Sequence, residues 1–452
     1  MKSGLMPLAF SLISTAGIAQ ESEPSFNSNR WQENYQYLAK QTRRSSYESL
    51  KYLPLTADRE DVYLSLGGNF RERFNSYNND LFGLKTRADG QQFLHRFLLH
   101  ADLHVTEHLR AFVQLDSYLS NNLGLQQGPL DNDSADLQQG FIDLHFQALT
   151  ARVGRQEFAL GSSRLISVRE GQNARRAFDG VRLSLKNDSL DLDAFGFEEV
   201  AIKPATFDDR GNTQEKLWGL NSKWSFKPTD AEIYYIGLQR KGAHYQNTVA
   251  DESRHSFGSR VFGKRFGWDW NFEGIYQLGS FGPLTINAWT AASNTGYTFA
   301  TPSWRPRLGL NANIASGDEN ANDGQLNTFN PLYPNLSYFE EAAILAPQNF
   351  FNVMPNLSLQ PLPSVRLSVD WNFYWRLSNN DAVYARGLNP LEQTLGANGR
   401  FVTQALSTNI EWEIDKHFSL GLSYSHFFAE QLITEAGGQD TDYVRTQFNA
   451  VF

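Results

Sequence analysis

From Val365 to Leu377 the chain alternates without a break. Val365, Leu367, Val369, Trp371, Phe373, Trp375 and Leu377 fall on one face; Arg366, Ser368, Asp370, Asn372, Tyr374 and Arg376 fall on the other. A period of two marks a strand that turns one face to an apolar phase and keeps the other polar. The pattern recurs along most of the chain. After residue 19 there is no run of eighteen apolar residues, which excludes a helical membrane protein. A large sheet remains, with one apolar side that needs an apolar surrounding.

Eighteen segments carry the alternation: 62–74, 93–105, 109–119, 137–147, 149–157, 178–187, 189–200, 215–226, 231–240, 254–264, 268–278, 284–297, 304–315, 348–360, 364–377, 400–414, 417–429 and 441–452. The last sets Val444, Phe448, Ala450 and Phe452 against Tyr443, Arg445, Gln447 and Asn449. Bacterial outer-membrane barrels commonly end on such a strand, with the terminal Phe, here Phe452, read by the outer-membrane assembly machinery. Short turns follow the even segments, as at Thr106–His108, Lys186–Ser189, Lys227–Asp230 and Asp415–His417. Longer links mostly follow the odd ones (75–92, 120–136, 158–177, 200–214, 241–253, 316–347, 378–399 and 430–440), with 279–283 a short exception. The expected fold is therefore all-β, a transmembrane antiparallel β-barrel of about eighteen strands of the outer-membrane type, with both chain ends on the short-turn, periplasmic side.

Composition agrees. A mean hydropathy of −0.46 fits residues that alternate between lipid and lumen, and 13% aromatic residues supply the girdles of such a barrel. Residues 1–19 read as a secretory signal: Lys2 heads an apolar stretch from Leu5 to Ile18, and Gly17-Ile18-Ala19 offers cleavage after Ala19. Residues 20–60, with Trp31-Gln32-Glu33-Asn34 and a short helix near Tyr47–Leu53, form a periplasmic N-terminal arm or tuck into the barrel as a plug. Residues 61–452 form the barrel. The chain has no cysteine, so disulfides and thiolate metal sites are out, and a net charge of −9 argues against a nucleic-acid partner.

Hydrolytic and metal chemistry find little support. There is no HExxH, GxSxG or phosphate-binding loop. Ser425 and His426 are neighbours and point to opposite faces of a strand; Asp143 and His145 share a face without a placed nucleophile. His100 and His104 stand roughly 13 Å apart along a strand, too far for one zinc. No enzyme activity and no cofactor are expected.

The segment Gly154-Arg155-Gln156-Glu157-Phe158 through Arg169-Glu170-Gly171-Gln172-Asn173-Ala174-Arg175-Arg176 to Asp179-Gly180 resembles the hallmark of the alginate-export family. Ser316-Gly317-Asp318-Glu319-Asn320, continuing through Asp323-Gly324 to Thr328-Phe329-Asn330-Pro331-Leu332-Tyr333-Pro334, is a second matching block. Leu53-Pro54-Leu55 with Tyr63–Gly68 and Arg71-Glu72-Arg73 is a weaker third. The resemblance implies an eighteen-stranded outer-membrane barrel that passes an anionic polyuronate outward through an arginine-lined constriction. The family's exporter uses a long periplasmic turn near its C-terminal end as part of a plug. Here that turn is only Asp415–His417, which favours an open, anion-selective porin.

A polyuronate carries one carboxylate per sugar, and fixed cations offset its desolvation in a narrow tube. Arginine meets carboxylates in bidentate pairs and holds its charge. By strand parity Arg71, Arg73, Arg96, Arg110, Arg152, Arg182, Arg254, Arg260, Arg366, Arg376 and Arg445 point inward, with Lys186, Lys223 and Lys264. The hallmark loop, placed after the fifth strand and folded into the pore, adds Arg164, Arg169, Arg175 and Arg176. Arg71, Arg73, Arg96, Arg110, Arg152, Arg164, Arg169, Arg175, Arg176, Arg182, Arg366 and Arg376 are the candidate constriction. The competing reading pairs them with Asp102, Asp116, Asp143, Asp191, Asp193, Glu273 and Asp370, which also point inward.

Asp318, Asn320 and Asp323 resemble a calcium loop, but Gly324 falls one place late and no bidentate Glu follows, so a hydrated surface loop is the plainer reading. The function expected is an outer-membrane channel for an alginate-like polyuronate. The alternatives are a passive porin for small organic anions and, third, an outer-membrane hydrolase. The expected partners are the anionic polysaccharide or small anion, outer-membrane lipid, the assembly machinery and periplasmic export partners. A monomer is expected.

Overall fold

The structure is a computed structural model that describes residues 26–85, 89–246, 248–338 and 340–452. The expected signal segment lies outside them. Eighteen long strands follow one another around a ring: β1 (Tyr63–Asn78), β2 (Gly90–Thr106), β3 (Leu109–Leu123), β4 (Asp133–Phe146), β5 (Leu149–Gln156), β6 (Phe178–Lys186), β7 (Leu190–Ala201), β8 (Glu215–Phe226), β9 (Thr229–Tyr245), β10 (Thr248–Arg265), β11 (Trp268–Phe281), β12 (Leu284–Thr298), β13 (Arg307–Ala315), β14 (Phe350–Leu362), β15 (Val365–Trp375), β16 (Phe401–Glu413), β17 (Phe418–Ala429) and β18 (Thr441–Val451). Each pairs antiparallel with the next, and β18 pairs with β1, with Phe70 opposite Ala450 and Arg71 opposite Asn449. The wall is thus a closed barrel with no free edge.

The two faces part as the alternation requires. On β15, Trp371 is 47% exposed on the outside while Asn372 and Tyr374 inside are 2% and 1% exposed. Phe97, Leu115, Ile142, Leu220, Ile233, Phe257 and Leu422 are also exposed outward. Phe226, Phe266, Trp268, Trp412, Phe418 and Phe452 gather at the short-turn end as an aromatic girdle.

Most strand limits lie close to those expected. One link differs: 241–253 is not a long loop, because β9 runs to Tyr245 and β10 begins at Thr248. Beyond the apolar belt both faces of a strand meet polar surroundings, so alternation fades while the backbone ladder continues. A bulge between Arg240 and Ala243, with Gly242 at φ 61°, accommodates the twist there. On the short-turn side 299–306 is the longer connection. Three long-side segments, 157–177, 316–349 and 376–400, fold inward and carry much of the buried apolar cluster (Phe158, Ile166, Tyr333, Ile344, Val383 and Leu391).

The seam is held beyond the paired strands. The Gly68 N–H donates to the Phe452 carbonyl at 2.8 Å, and the Phe452 N–H donates back to Gly68 at 3.0 Å. A Cβ on Gly68 would stand 2.5 Å from Phe452 Cζ and 2.8 Å from the Leu98 carbonyl oxygen. Gly68→Leu is therefore expected to block closure. The folded, heat-modifiable band on a denaturing gel should be lost; an unchanged band would show that the seam adapts.

Candidate functional site

The hallmark segment 157–177 leaves β5 and crosses the barrel interior. At one end, Ser162 donates to Glu273 on β11, and Arg164 pairs with the same carboxylate at 3.1 Å. At the other end its carbonyls are gripped by arginines of β1 and β2. Arg71 donates to Glu170 O at 2.9 Å and Gln172 O at 2.8 Å, Arg96 to Asn173 O at 2.9 Å, and Arg73 to Gly171 O. Strands β2 and β11 stand on opposite sides of the ring. The loop is thus a strap across the lumen. Its residues Ser163 and Arg169 adopt left-handed backbone, with φ 65° and 59°. Such conformations cost of order 1–3 kcal/mol each and persist only where surrounding contacts over-determine them.

The second matching block meets the first. Tyr333 N–H donates to Leu165 O at 2.8 Å, Ser167 N–H to Tyr333 O at 2.9 Å, and Asn335 N–H to Ser163 O at 3.1 Å. The Tyr333 hydroxyl donates to Glu215 on β8, and Arg176 donates to the Tyr333 carbonyl at 2.7 Å. Two motifs about 150 residues apart in sequence are therefore one element, zipped along a short parallel bridge at Ile166 and Tyr333.

Charge divides unevenly along the strap. Arg175 makes a bidentate pair with Glu157, 2.6 Å to each oxygen, in a buried site. Glu170 faces Arg71, Arg96 and Arg175 together. Arg176 pairs with Glu199 at 2.7 Å, and Arg169 stands 3.9 Å from it. Among the described residues Arg73 hydrogen-bonds to neutral groups, Gln447 Oε1 at 2.7 Å and the Gly171 carbonyl. Among the described residues Arg71, Arg73, Arg96, Arg169, Arg175 and Arg176 set against Glu157, Glu170 and Glu199 leave the strap contacts three charges positive. On the β8–β11 wall, Arg164, Arg240, Arg254 and Arg260 are matched by Glu215, Glu232, Glu252 and Glu273. Removing one partner of a buried pair such as Arg175–Glu157 costs about 3–5 kcal/mol, because the other charge is left unpaired.

A cavity of about 570 Å³ opens from this band toward the long-loop end. Arg73, Arg169, Arg176, Arg386 and Lys85 line it, with Asp80, Asp131 and Glu341 as its carboxylates and Tyr77 and Tyr443 as apolar walls. Burial, with Arg176 next to it, pulls the Arg169 guanidinium down to about 9.

The remaining candidate arginines lie elsewhere. Arg110 and Arg152 stand near the short-turn mouth, bidentate to Asp102 (2.6 and 2.5 Å) and Asp143 (2.7 and 2.8 Å). They hold the N-terminal arm. The Arg152 guanidinium lies 3.8 Å from the Trp31 ring and 3.7 Å from the Phe141 ring, and Arg110 donates to the Trp31 carbonyl. Arg30 reaches Gly68 O at 2.8 Å and Phe452 O at 3.0 Å, so the described part of the arm packs into this mouth against the seam. Its helix, Ser46–Lys51, opens on a capping box at Ser45 and Glu48. Arg182 pairs with Asp193 at 2.8 Å. Arg445 bridges Glu341 and Glu411, each at 2.8 Å. Arg366 is exposed on the inner face near the short turns, as are Lys186 and Lys264, while Lys223 approaches Asp191 at 3.5 Å. Arg376 caps carbonyls of Thr394, Ala397 and Gly399 at the long-loop end.

Asp318, Asn320 and Asp323 form consecutive turns in which each side-chain oxygen accepts the N–H two residues on, at 3.1, 3.2 and 2.8 Å. Ser425 bonds Ser407 inside the barrel, while His426 bonds Asp442 on the other face. Asp143 is occupied by Arg152, and His145 meets Thr150. Sequence reasoning overlooked Glu157, Glu170 and Glu199 as the strap's counter-charges. The available signal was that Glu157 and Glu170 interrupt the arginine-rich segment itself.

Comparison with known proteins agrees with this geometry. The family model described as alginate export matches residues 62–447. Among solved structures, OccAB1 of Acinetobacter baumannii superposes with a TM-score of 0.60 at 13% identity, covering 90% of this chain and 99% of that one. OccAB3 of the same organism gives 0.61 at 9%, covering 86% and 99%, and OccK11 (OpdR) of Pseudomonas aeruginosa gives 0.57 at 12%, covering 86% and 96%. At these identities the likeness is one of fold. The curated proteins contain no match. The chain is an outer-membrane channel barrel and belongs to the alginate-export family.

Proposed function

We propose that the barrel conducts anionic polysaccharide of the polyuronate class past the arginine band of the strap. The observation that carries this reading is the charge excess where the strap meets β1 and β2, opening into a cavity lined by Arg73, Arg169 and Arg176. A band of fixed cations concentrates anions, and passage then needs several moderate sites in place of one tight one. Arg73, whose partners are neutral, and Arg169, whose carboxylate is distant, have the most charge to offer a passing carboxylate. In this reading the short-turn mouth faces the periplasm and its export partners, the apolar belt faces outer-membrane lipid, and Phe452 serves the assembly machinery.

A second reading, a passive porin for small organic anions, is favoured by a separate observation. The zipped strap and the packed arm narrow both levels of the lumen, and the turn at 414–417 is too short to form a movable plug.

Single-channel recording in a planar bilayer separates the two. With a potassium chloride gradient, the reversal potential should show anion selectivity, and added oligomannuronate should block the current. Selectivity without block supports the small-anion porin; a cation-selective channel overturns both. Arg73→Gln and Arg169→Gln should each lower the chloride-to-potassium permeability ratio about twofold or more while the barrel stays folded. Unchanged reversal potentials would remove these residues from the pathway. Trp31→Ala should raise unitary conductance by loosening the arm. An unchanged conductance would place the arm outside the conducting path.

A further inference from the structure

A second charged site lies outside the strap. Asp136 on β4 and Asp208 and Asp209 in the β7–β8 loop bring one carboxylate oxygen each within 4.8 Å of one another. The loop is docked there by backbone bonds: Phe207 N–H donates to Ala135 O at 3.0 Å, and Asp209 N–H to Asp136 Oδ2 at 3.0 Å. Asp116 and Asp133 complete the cluster. Asp133 is 0% exposed, its charged neighbours are Asp116, Asp136, Asp208 and Asp209, and neither of its carboxylate oxygens has a hydrogen-bond partner. Asp208 Oδ1 is likewise buried without a partner. Among the described residues the cluster's ion pair is Arg155 to Asp136, at 3.7 Å, and Arg155 is shared with Asp179 at 2.8 Å. Five carboxylates whose direct ion pair is to one shared arginine are costly to bury unless something positive joins them.

We propose that this cluster binds a divalent cation of the calcium class, clamping the β7–β8 loop to the rim of β4. The donors are all carboxylate oxygens, which suits a hard cation, and oxygens held about 2.3–2.6 Å from one ion can lie up to roughly 5 Å apart, as these do. Asp136, Asp208 and Asp209 are the core ligands, and the buried, unpartnered Asp133 adds uncompensated negative charge beside them.

Calcium chloride titrated into the detergent-solubilised barrel after EDTA treatment tests this. Calorimetry should find one site, and hydrogen exchange should show residues 202–214 becoming protected. Asp133→Asn and Asp208→Asn should weaken binding by at least about tenfold, while Asp318→Asn, in the other acidic loop, should leave it unchanged. In EDTA, Asp133→Asn should melt at the wild-type temperature or higher, because it removes an unpartnered buried charge. The proposal is overturned by absence of calcium binding, by binding lost in Asp318→Asn and kept in Asp133→Asn and Asp208→Asn, or by an Asp133→Asn barrel that melts lower in EDTA.

Discussion

A wall that stands in lipid tolerates no unpaired peptide group, and the closed ladder of β1 through β18 meets that demand. The rest depends on it. Closure requires strict alternation, which sends one side chain in two to a lumen already shielded from lipid. An eighteen-strand ring is too wide for its wall side chains alone to fill. The interior must therefore be furnished by loops, and loops inside a barrel need partners for their own polar backbone.

The lumen arginines supply those partners. Arg71, Arg73 and Arg96 spend donors on the carbonyls of residues 170–173, and Arg376 does the same for the segment around Thr394–Gly399. A guanidinium has five N–H donors in a fixed fork, so one residue can satisfy a turn of backbone and still carry its charge. The same residues thereby position the strap and electrify it. Had each arginine a carboxylate of its own, as on the β8–β11 wall, the strap would be equally rigid but electrically neutral. The uneven pairing leaves the strap with more arginines than carboxylates.

The strands were legible because lipid imposes the same rule on every residue of the wall. That rule is local, so Val365–Leu377 declares its faces unaided. It lapses where both sides are polar, which is why 241–253 reads as a loop although its backbone stays in the ladder. The strap's presence in the pore was legible from its family resemblance. Its charge balance was not, because pairing Arg176 with Glu199 or Arg164 with Glu273 depends on which strands face each other across the ring. Arg110 and Arg152 show the same limit: their inward direction follows from parity, but their contact with Trp31 follows from the path of the arm. The acidic cluster was not legible either, because Asp136 on β4 and Asp209 in the β7–β8 loop lie 73 residues apart in the chain.

Alternation alone specifies a wide, lipid-facing barrel with a charged interior, because it is a residue-by-residue response to two solvents. Where that interior charge stays unbalanced is set by the folded ring. Which arginine meets which carboxylate, and which meets only a carbonyl, depends on distances across the lumen that no local pattern encodes.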